Sequence, residues 1–258
     1  MKSVPLKVVR NQEIAEETYE MILSGELVQE MNRPGTFLHI KIPSSHHVLR
    51  RPISIASVNQ ELGTCTLVYK CTGEGTRALT NVRPNDCLQV LGPLGGQGFP
   101  TEEPSTDQEV TLIGGGVGVP PMYFAARSLS ERNIPFRVIL GFQTEAAVFY
   151  EEAFKQLQAM DVTIMTDDGS YGEKGTVIDA LQNLEQPSTY IYTCGPRGML
   201  KAVKAAAQHD TTVYVSLEEH MGCGIGACFA CVCKTEDETS YVKICTDGPV
   251  FQSNEVLL

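Results

Sequence analysis

The period of the hydrophobic pattern changes near residue 109, and this change requires two folding units of different class. Upstream, short alternating runs recur at Leu6–Val9, Thr18–Leu23, Thr36–Ile42, Thr64–Tyr69 and Cys87–Leu91. Turn residues such as Asn32-Arg33-Pro34-Gly35 and Glu61-Leu62-Gly63 separate them. Period-two runs with such punctuation predict a small antiparallel β-barrel. Downstream, apolar strands alternate with helical segments: strands at Val110–Ile113, Phe136–Leu140, Val162–Met165 and Tyr190–Tyr192, helices at Pro120–Arg132, Glu151–Met160, Val177–Leu184 and Met199–His209. That rhythm predicts a doubly wound, mostly parallel sheet. Between the units, Pro100–Gln108 is polar, holds two prolines and has no apolar period, as an interdomain linker would. After Val213–Leu217 the chain turns short and rich in Cys and Gly. The expected organisation is an all-β barrel over 1–101, an α/β unit over 109–213 and a small C-terminal unit over 216–258. The last is too short to build its own core and needs a cofactor to organise it.

The cysteines indicate which cofactor. Five of the nine lie between Cys223 and Cys245, and an odd, tightly clustered set points to a metal site and not to a disulfide framework. The spacing is Cys223-x4-Cys228-x2-Cys231-x13-Cys245. A plant-type [2Fe–2S] site uses a C-x4-C-x2-C loop with a distant fourth cysteine. Such a loop must wrap closely, since the cluster sulfurs accept backbone N–H groups, and Gly222, Gly224 and Gly226 allow this. The competing reading is a structural zinc site, whose four cysteines usually come as two C-x2-C pairs. Cys233, two residues beyond the loop, reads as a spare thiol on a strand, with a substitute ligand as the alternative. The fourth spacing is shorter than in a whole plant-type ferredoxin, which suggests a reduced ferredoxin-like tail.

Charge narrows the partners. Lys and Arg number 20 against 31 Asp and Glu, a formal net charge of −11. This argues against nucleic acid and anionic membrane. The opening Met1-Lys2-Ser3-Val4-Pro5 has no apolar stretch behind it, and no run approaches the ~18 apolar residues of a spanning helix. A cytoplasmic protein is expected.

Two Gly-rich regions carry phosphate-binding signals. In Arg51-Pro52-Ile53-Ser54, an Arg can clamp a pyrophosphate and a Ser can hydrogen-bond a flavin ring nitrogen. Val68-Tyr69-Lys70 leads into Cys71-Thr72-Gly73-Glu74-Gly75-Thr76, a strand, a Gly-rich turn and a helix start, where exposed N–H groups favour phosphate. Either segment alone could be an ordinary strand or turn. Gly114-Gly115-Gly116-Val117-Gly118 lies between a strand and a helix, the setting a dinucleotide loop needs, although its order is not G-x-G-x-x-G. Cys194-Gly195-Pro196 ends the last α/β strand, at the edge where open sheets bind ligands. Cys194 is either a soft wall for a nicotinamide ring or a core thiol.

With these motifs together, the chain resembles the ferredoxin–NADP reductase superfamily over essentially its whole length. In that family an Arg-x-(Tyr/Phe)-Ser segment on a barrel binds FAD, and a Gly-rich loop with a Cys-Gly-Pro motif binds NAD(P)H. Here Ile53 replaces the aromatic, and a cysteine tail replaces the C-terminal aromatic that covers the flavin in plant-type members. Within the superfamily the chain is similar to the electron-transfer subunits of B-type, NAD-dependent dihydroorotate dehydrogenases. The shared features are Arg51–Ser54, Gly73-x-Gly75-Thr76, Gly114–Pro121, Thr166-Asp167-Asp168-Gly169, Cys194-Gly195-Pro196, the cysteine loop and Cys245-x-Asp247-Gly248-Pro249-Val250-Phe251.

The resemblance implies FAD at Arg51, Pro52, Ile53, Ser54, Val68, Tyr69, Lys70, Gly75 and Thr76. It implies NAD at Gly114, Gly115, Gly116, Gly118, Cys194, Gly195 and Pro196, and a [2Fe–2S] cluster on Cys223, Cys228, Cys231 and Cys245. It also implies an FMN-containing catalytic subunit that oxidises dihydroorotate to orotate for pyrimidine synthesis, with two copies of each subunit, and leaves no catalytic base in this chain. NAD is expected over NADP, because Gly141–Glu145 and Thr166–Gly169 carry acids and no Lys or Arg. Alternatives that share these modules are the NAD(P)H-oxidising subunits of a sulfide dehydrogenase, a hydrogenase or a ferredoxin oxidoreductase. A cluster-based redox sensor is a further one, though a sensor needs no nicotinamide module.

Overall fold

A computed structural model describes residues 1–44 and 46–258. Six strands close into an antiparallel barrel in the order β1-β2-β5-β4-β3-β6: β1 (Lys2–Ala15), β2 (Thr18–Ser24), β3 (Phe37–Ile40), β4 (Arg51–Asn59), β5 (Thr64–Lys70) and β6 (Cys87–Leu94). Alternate residues point inward, as the pleat requires. Leu38 and Ile40 of β3, Ile53 and Ile55 of β4, and Cys65, Leu67 and Tyr69 of β5 fill the interior. The sequence pattern missed β4 as a strand. It opens on Pro52, which has no N–H to donate to a ladder, and its register against β5 slips between Ile55 and Ser57. The short helix α1 (Glu74–Leu79) follows β5 directly.

The α/β unit forms a seven-stranded sheet in the order β10-β9-β8-β7-β11-β12-β15. Its strands are β7 (Val110–Gly115), β8 (Phe136–Phe142), β9 (Val162–Thr166), β10 (Glu173–Lys174), β11 (Tyr190–Cys194), β12 (Thr212–Ser216) and β15 (Val250–Gln252). All neighbours pair in parallel except β12 with β15. Helices α2 (Val119–Glu131), α3 (Glu151–Lys155), α4 (Val177–Gln182) and α5 (Arg197–Ala206) supply the crossovers. Helix α3 is shorter than its apolar period suggests: Gln158 adopts a left-handed φ of 61°, beyond the point where the helix stops.

Strand β15 belongs to the Cys-rich tail, yet it is an edge strand of the large sheet. The rest of the tail holds only the hairpin β13 (Val232–Lys234) and β14 (Tyr241–Lys243). It has no separate core. Met221, Cys231, Cys233, Ile244, Phe251 and Val256 share one apolar cluster with Ile113, Ile191 and Val215 of the sheet and with Phe37 and Leu94 of the barrel. Backbone bonds fasten the tail to the barrel as well. Gly95 N–H donates to the Cys245 carbonyl at 3.2 Å, and Gln97 N–H to that of Gly248 at 3.2 Å. A Cβ on Gly96 would lie 2.0 Å from the Thr246 carbonyl oxygen, so only glycine allows this contact. No helix among the described residues is long and apolar enough to cross a membrane.

Candidate cofactor sites

Two clefts meet where the barrel, the sheet and the tail converge. The first, of about 490 Å³, is lined by Arg51, Pro52, Ile53, Ser54, Val68, Tyr69, Lys70 and Thr76, the residues expected to hold a flavin, Gly75 excepted. Arg51 is oriented from behind: its Nη1 donates to the Leu49 carbonyl at 2.9 Å and the Arg50 carbonyl at 3.3 Å. Its Nε and Nη2 lie over Gly75, where an added Cβ would sit 2.6 and 2.7 Å from them. Gly75 thus acts as the bare surface on which the guanidinium rests. The turn before α1 is closed by Thr76, whose Oγ1 accepts the N–H groups of Thr72 at 3.1 Å and Gly73 at 3.2 Å. Ile53 and Tyr69 also belong to the barrel core. The Tyr69 hydroxyl donates to Asn11 Oδ1 at 3.0 Å. Burial pushes its pKa above the usual phenol value.

The second cleft, of about 660 Å³, lies over the carboxyl ends of β7, β8 and β11 and is lined by Gly115, Gly116, Gly195 and Pro196 of the expected nicotinamide set. Gly114, Gly118 and Cys194 do not line it. Gly114 makes room for α2, since a Cβ there would lie 3.0 Å from Val119 Cα. Gly118 does the same for the neighbouring turn: its Cβ would lie 2.1 Å from the Cys194 carbonyl oxygen. Cys194 itself is fully buried, with its thiol pKa raised well above the ordinary value by that burial. The core-thiol alternative is the one its position matches. The stretches read for ribose recognition lie at this cleft through Gln143 and Asp167, and Lys70, at the boundary with the first cleft, is the one cation in its lining.

Lys70, Val117 and Glu218 line both clefts. Sequence reasoning missed Glu218, because it becomes special only when β12 delivers it to this junction. Its side chain is exposed at the junction, and desolvation by the surrounding protein raises its carboxyl pKa. The tail closes the first cleft from the other side with Met221, Ile244 and Pro249.

Ile244 immediately precedes Cys245, so the flavin cleft and the cysteine site are joined by consecutive residues of chain. The Cys228 thiol lies beside Cys223, and Cys245 lies near both Cys231 and Cys223. Cys223 Sγ accepts the N–H groups of Ile225 at 3.4 Å and Cys228 at 3.3 Å. These donors stabilise the thiolate and lower its pKa to about 6. Burial first, and then the Cys231 thiol, raises Cys245 to about 11. Ile244 N–H donates to the Cys231 carbonyl at 2.9 Å, which ties the Cys245 segment to the loop. Gly224 and Gly226 have φ of 71° and 75°, the left-handed turns the loop needs.

No three His, Cys, Asp or Glu among the described residues converge on one point that could hold a single metal ion. The C-x4-C-x2-C spacing would suit a [2Fe–2S] cluster better than a structural zinc, whose cysteines usually come as two C-x2-C pairs. Cys233 stands apart on β13, where its thiol donates to the Leu257 carbonyl at 3.4 Å. His39, buried at 0 % exposure beneath the loop, also escaped sequence reasoning. Its imidazole pKa is lowered to about 4 by burial, with the charges of Arg50 and Arg51 adding to the effect.

Three family models match the chain: an oxidoreductase FAD-binding domain at 5–99, an oxidoreductase NAD-binding domain at 112–205 and the iron–sulfur cluster binding domain of dihydroorotate dehydrogenase B at 218–257. The electron transfer subunit of dihydroorotate dehydrogenase B (NAD(+)) from Geobacillus kaustophilus is 48% identical over 95% of each chain. The subunit of the same name from Shouchella clausii is 48% identical over 98% of this chain and 97% of its own. The chain belongs to the family of dihydroorotate dehydrogenase B electron transfer subunits. Among solved structures, one described under the NADH-dependent reduced ferredoxin–NADP oxidoreductase and flavin-based electron bifurcation matches at TM-score 0.86 and 29% identity, covering 99% of this chain and 91% of its own. Phthalate dioxygenase reductase matches at TM-score 0.65 and 17% identity, covering 99% and 98%, and shares the fold. The protein is therefore an oxidoreductase subunit with FAD-, NAD- and iron–sulfur-binding domains, and membership of a family of electron transfer subunits implies a catalytic partner.

Proposed function

We propose that this subunit carries electrons between the FMN of a dihydroorotate-oxidising catalytic subunit and NAD, in a cytoplasmic complex of two copies of each subunit that serves pyrimidine synthesis. One observation carries the reading: the flavin cleft shares Lys70, Val117 and Glu218 with the nicotinamide cleft and is closed on its far side by Ile244, next to Cys245. The order nicotinamide, flavin, cluster is the one the chemistry requires, since a nicotinamide exchanges hydride, a [2Fe–2S] cluster carries single electrons and a bound flavin converts one into the other. We take the domain limits as 1–101, 109–213 and 216–258.

The residues divide the work. Arg51 offers Nε and Nη2 to a flavin pyrophosphate while its Nη1 is held by backbone, so little side-chain freedom remains to be lost on binding. Ser54 presents a hydroxyl to the flavin ring. Gly115, Gly116, Gly195 and Pro196 let the nicotinamide approach the same space, and Glu218 at the junction is a polar group for its carboxamide. Cys223, Cys228, Cys231 and Cys245 hold the cluster. Ile225 and Phe229, on the exposed tip of that loop, form the apolar face offered to the catalytic subunit, where electrons must enter.

The reading is tested in a complex co-purified with the catalytic subunit. Cys228→Ser should abolish NAD-dependent dihydroorotate oxidation while NADH-dependent dye reduction persists at FAD. Dihydroorotate oxidation at the wild-type rate in that variant would refute it.

A further inference from the structure

His39 stands between the flavin cleft and the cluster loop without a partner for its ring. It lies on the outer face of β3 with Phe37, which lines the flavin cleft, while Leu38 and Ile40 turn into the barrel. The imidazole is wholly buried, and neither Nδ1 nor Nε2 has a hydrogen-bond partner among the described residues. The cluster loop covers it. A Cβ on Gly224, the residue after Cys223, would lie 2.7 Å from His39 Nδ1 and 3.2 Å from Leu94 Cδ1. The Arg50 carbonyl is near enough to the ring to favour its charged form but makes no hydrogen bond with it, and it accepts instead from Arg51 Nη1 at 3.3 Å.

A neutral imidazole carries one N–H donor and one bare nitrogen. Buried polar groups in native proteins find partners, and an apolar side chain would fill this space without the penalty. Cluster sulfurs are anionic acceptors, and hydrogen bonds to them are among the protein's means of setting cluster potentials.

We propose that His39 donates its ring N–H to a sulfur of the iron–sulfur site at the Cys223–Gly224 turn and thereby raises the reduction potential of the cluster. His39 is a positioning residue and not a ligand, and the inference rests on the cluster assignment above. The direction follows from charge. Reduction adds an electron to the cluster, its sulfurs become stronger acceptors, and the donor stabilises the reduced form more than the oxidised one.

The test is an EPR-monitored redox titration of the intact complex with its catalytic subunit. His39→Leu cannot donate, and His39→Gln keeps a donor. His39→Leu should keep its iron and labile sulfide but lower the midpoint potential by a tenfold change in the one-electron equilibrium, 59 mV. His39→Gln should recover at least half of that shift. In wild-type protein carrying 15N-histidine, pulsed EPR of the reduced cluster should show a weakly coupled 15N. A Leu variant titrating at the wild-type potential, or a Gln variant identical to Leu, overturns the proposal. If His39→Leu fails to assemble a cluster, the labelled wild type decides, and absence of the coupling overturns the proposal. A wild-type complex with no iron or sulfide would refute the cluster assignment instead.

Discussion

Replacing Gly75 with Ala should weaken FAD binding while leaving the fold intact or slightly firmer. The new Cβ would stand 2.6 Å from Arg51 Nε, 2.7 Å from Nη2 and 2.8 Å from Cζ. The guanidinium must then retreat by about 0.7 Å or more to regain ordinary contact. Arg51 Nη1 is fixed to the Leu49 and Arg50 carbonyls, so the fork can retreat only by breaking those bonds or by turning from the cleft. Either way it loses a charge-assisted bond to the pyrophosphate, worth about 1.5–3 kcal/mol. At about 1.4 kcal/mol per decade, the FAD Kd should rise roughly ten- to hundredfold. Stability should move the other way. Gly75 sits within α1 at a φ open to any residue, and Gly to Ala inside a helix gains up to about 1 kcal/mol. The assay is flavin fluorescence during titration of FAD into flavin-stripped complex, alongside thermal unfolding of the stripped protein. A double-mutant cycle isolates the cause: on an Arg51→Ala background, Gly75→Ala should add almost nothing. Wild-type FAD affinity in Gly75→Ala, or fully additive losses in the cycle, would refute the reasoning.

Gly118→Ala meets backbone in place of a mobile side chain, 2.1 Å from the Cys194 carbonyl oxygen. It should cost about 1–3 kcal/mol, read as a Tm lowered by about 2–4 °C per kcal/mol, and raise KM for NADH with FAD content unchanged. Gly116→Ala meets no atom within 4 Å, but its φ of 53° is left-handed, so it should cost about 1–2 kcal/mol through backbone strain. Cys233→Ser should keep wild-type iron and sulfide, whereas Cys228→Ser should lose both; equal loss would remove the distinction between ligand and bystander. NADH should exceed NADPH in kcat/KM by roughly tenfold or more, because a phosphate dianion would meet Asp167 with Lys70 as the one cation in the cleft lining; equal values would mean the ribose pocket lies elsewhere.

What could be read from the sequence was local. Turn glycines, alternating strands and the cysteine spacing each have a cause within a few residues, so the barrel, the parallel sheet and the cluster loop were all foreseeable. Three features were not, for the opposite reason. Val250–Gln252 is too short to announce itself as a strand, and it becomes one only because β12 offers an open edge. Glu218 looks like any loop acid until the two clefts converge on it. His39 sits in an apolar strand and would pass for a surface histidine until the tail folds back over β3 and brings Gly224 against its ring. Gly114, Gly118 and Gly75 are expected from the sequence to serve the ligand loops, and each also makes room for another part of the protein. Small residues at a binding loop need not touch the ligand; they set the shape of what does.

The same distinction bears on why a tail of this size can hold a cluster. It has little core of its own, and its apolar residues complete a cluster begun by Ile113, Ile191 and Val215 on one side and by Phe37 and Leu94 on the other. Its fourth cysteine segment hangs on the barrel through Gly95 and Gln97, and its last strand hangs on the sheet through β12. The cysteines are therefore positioned by both domains at once, and a hinge between barrel and sheet would pull them apart. Binding four thiolates to one cluster opposes that hinge, as metal binding does wherever it closes a site that the chain alone holds weakly. The flavin cleft lies in the same seam, walled by Arg51 and Ser54 from the barrel, Val117 from the sheet unit and Ile244 from the tail. Flavin and cluster bound at these sites would stabilise one arrangement of three parts, and each should be bound more tightly in the presence of the other.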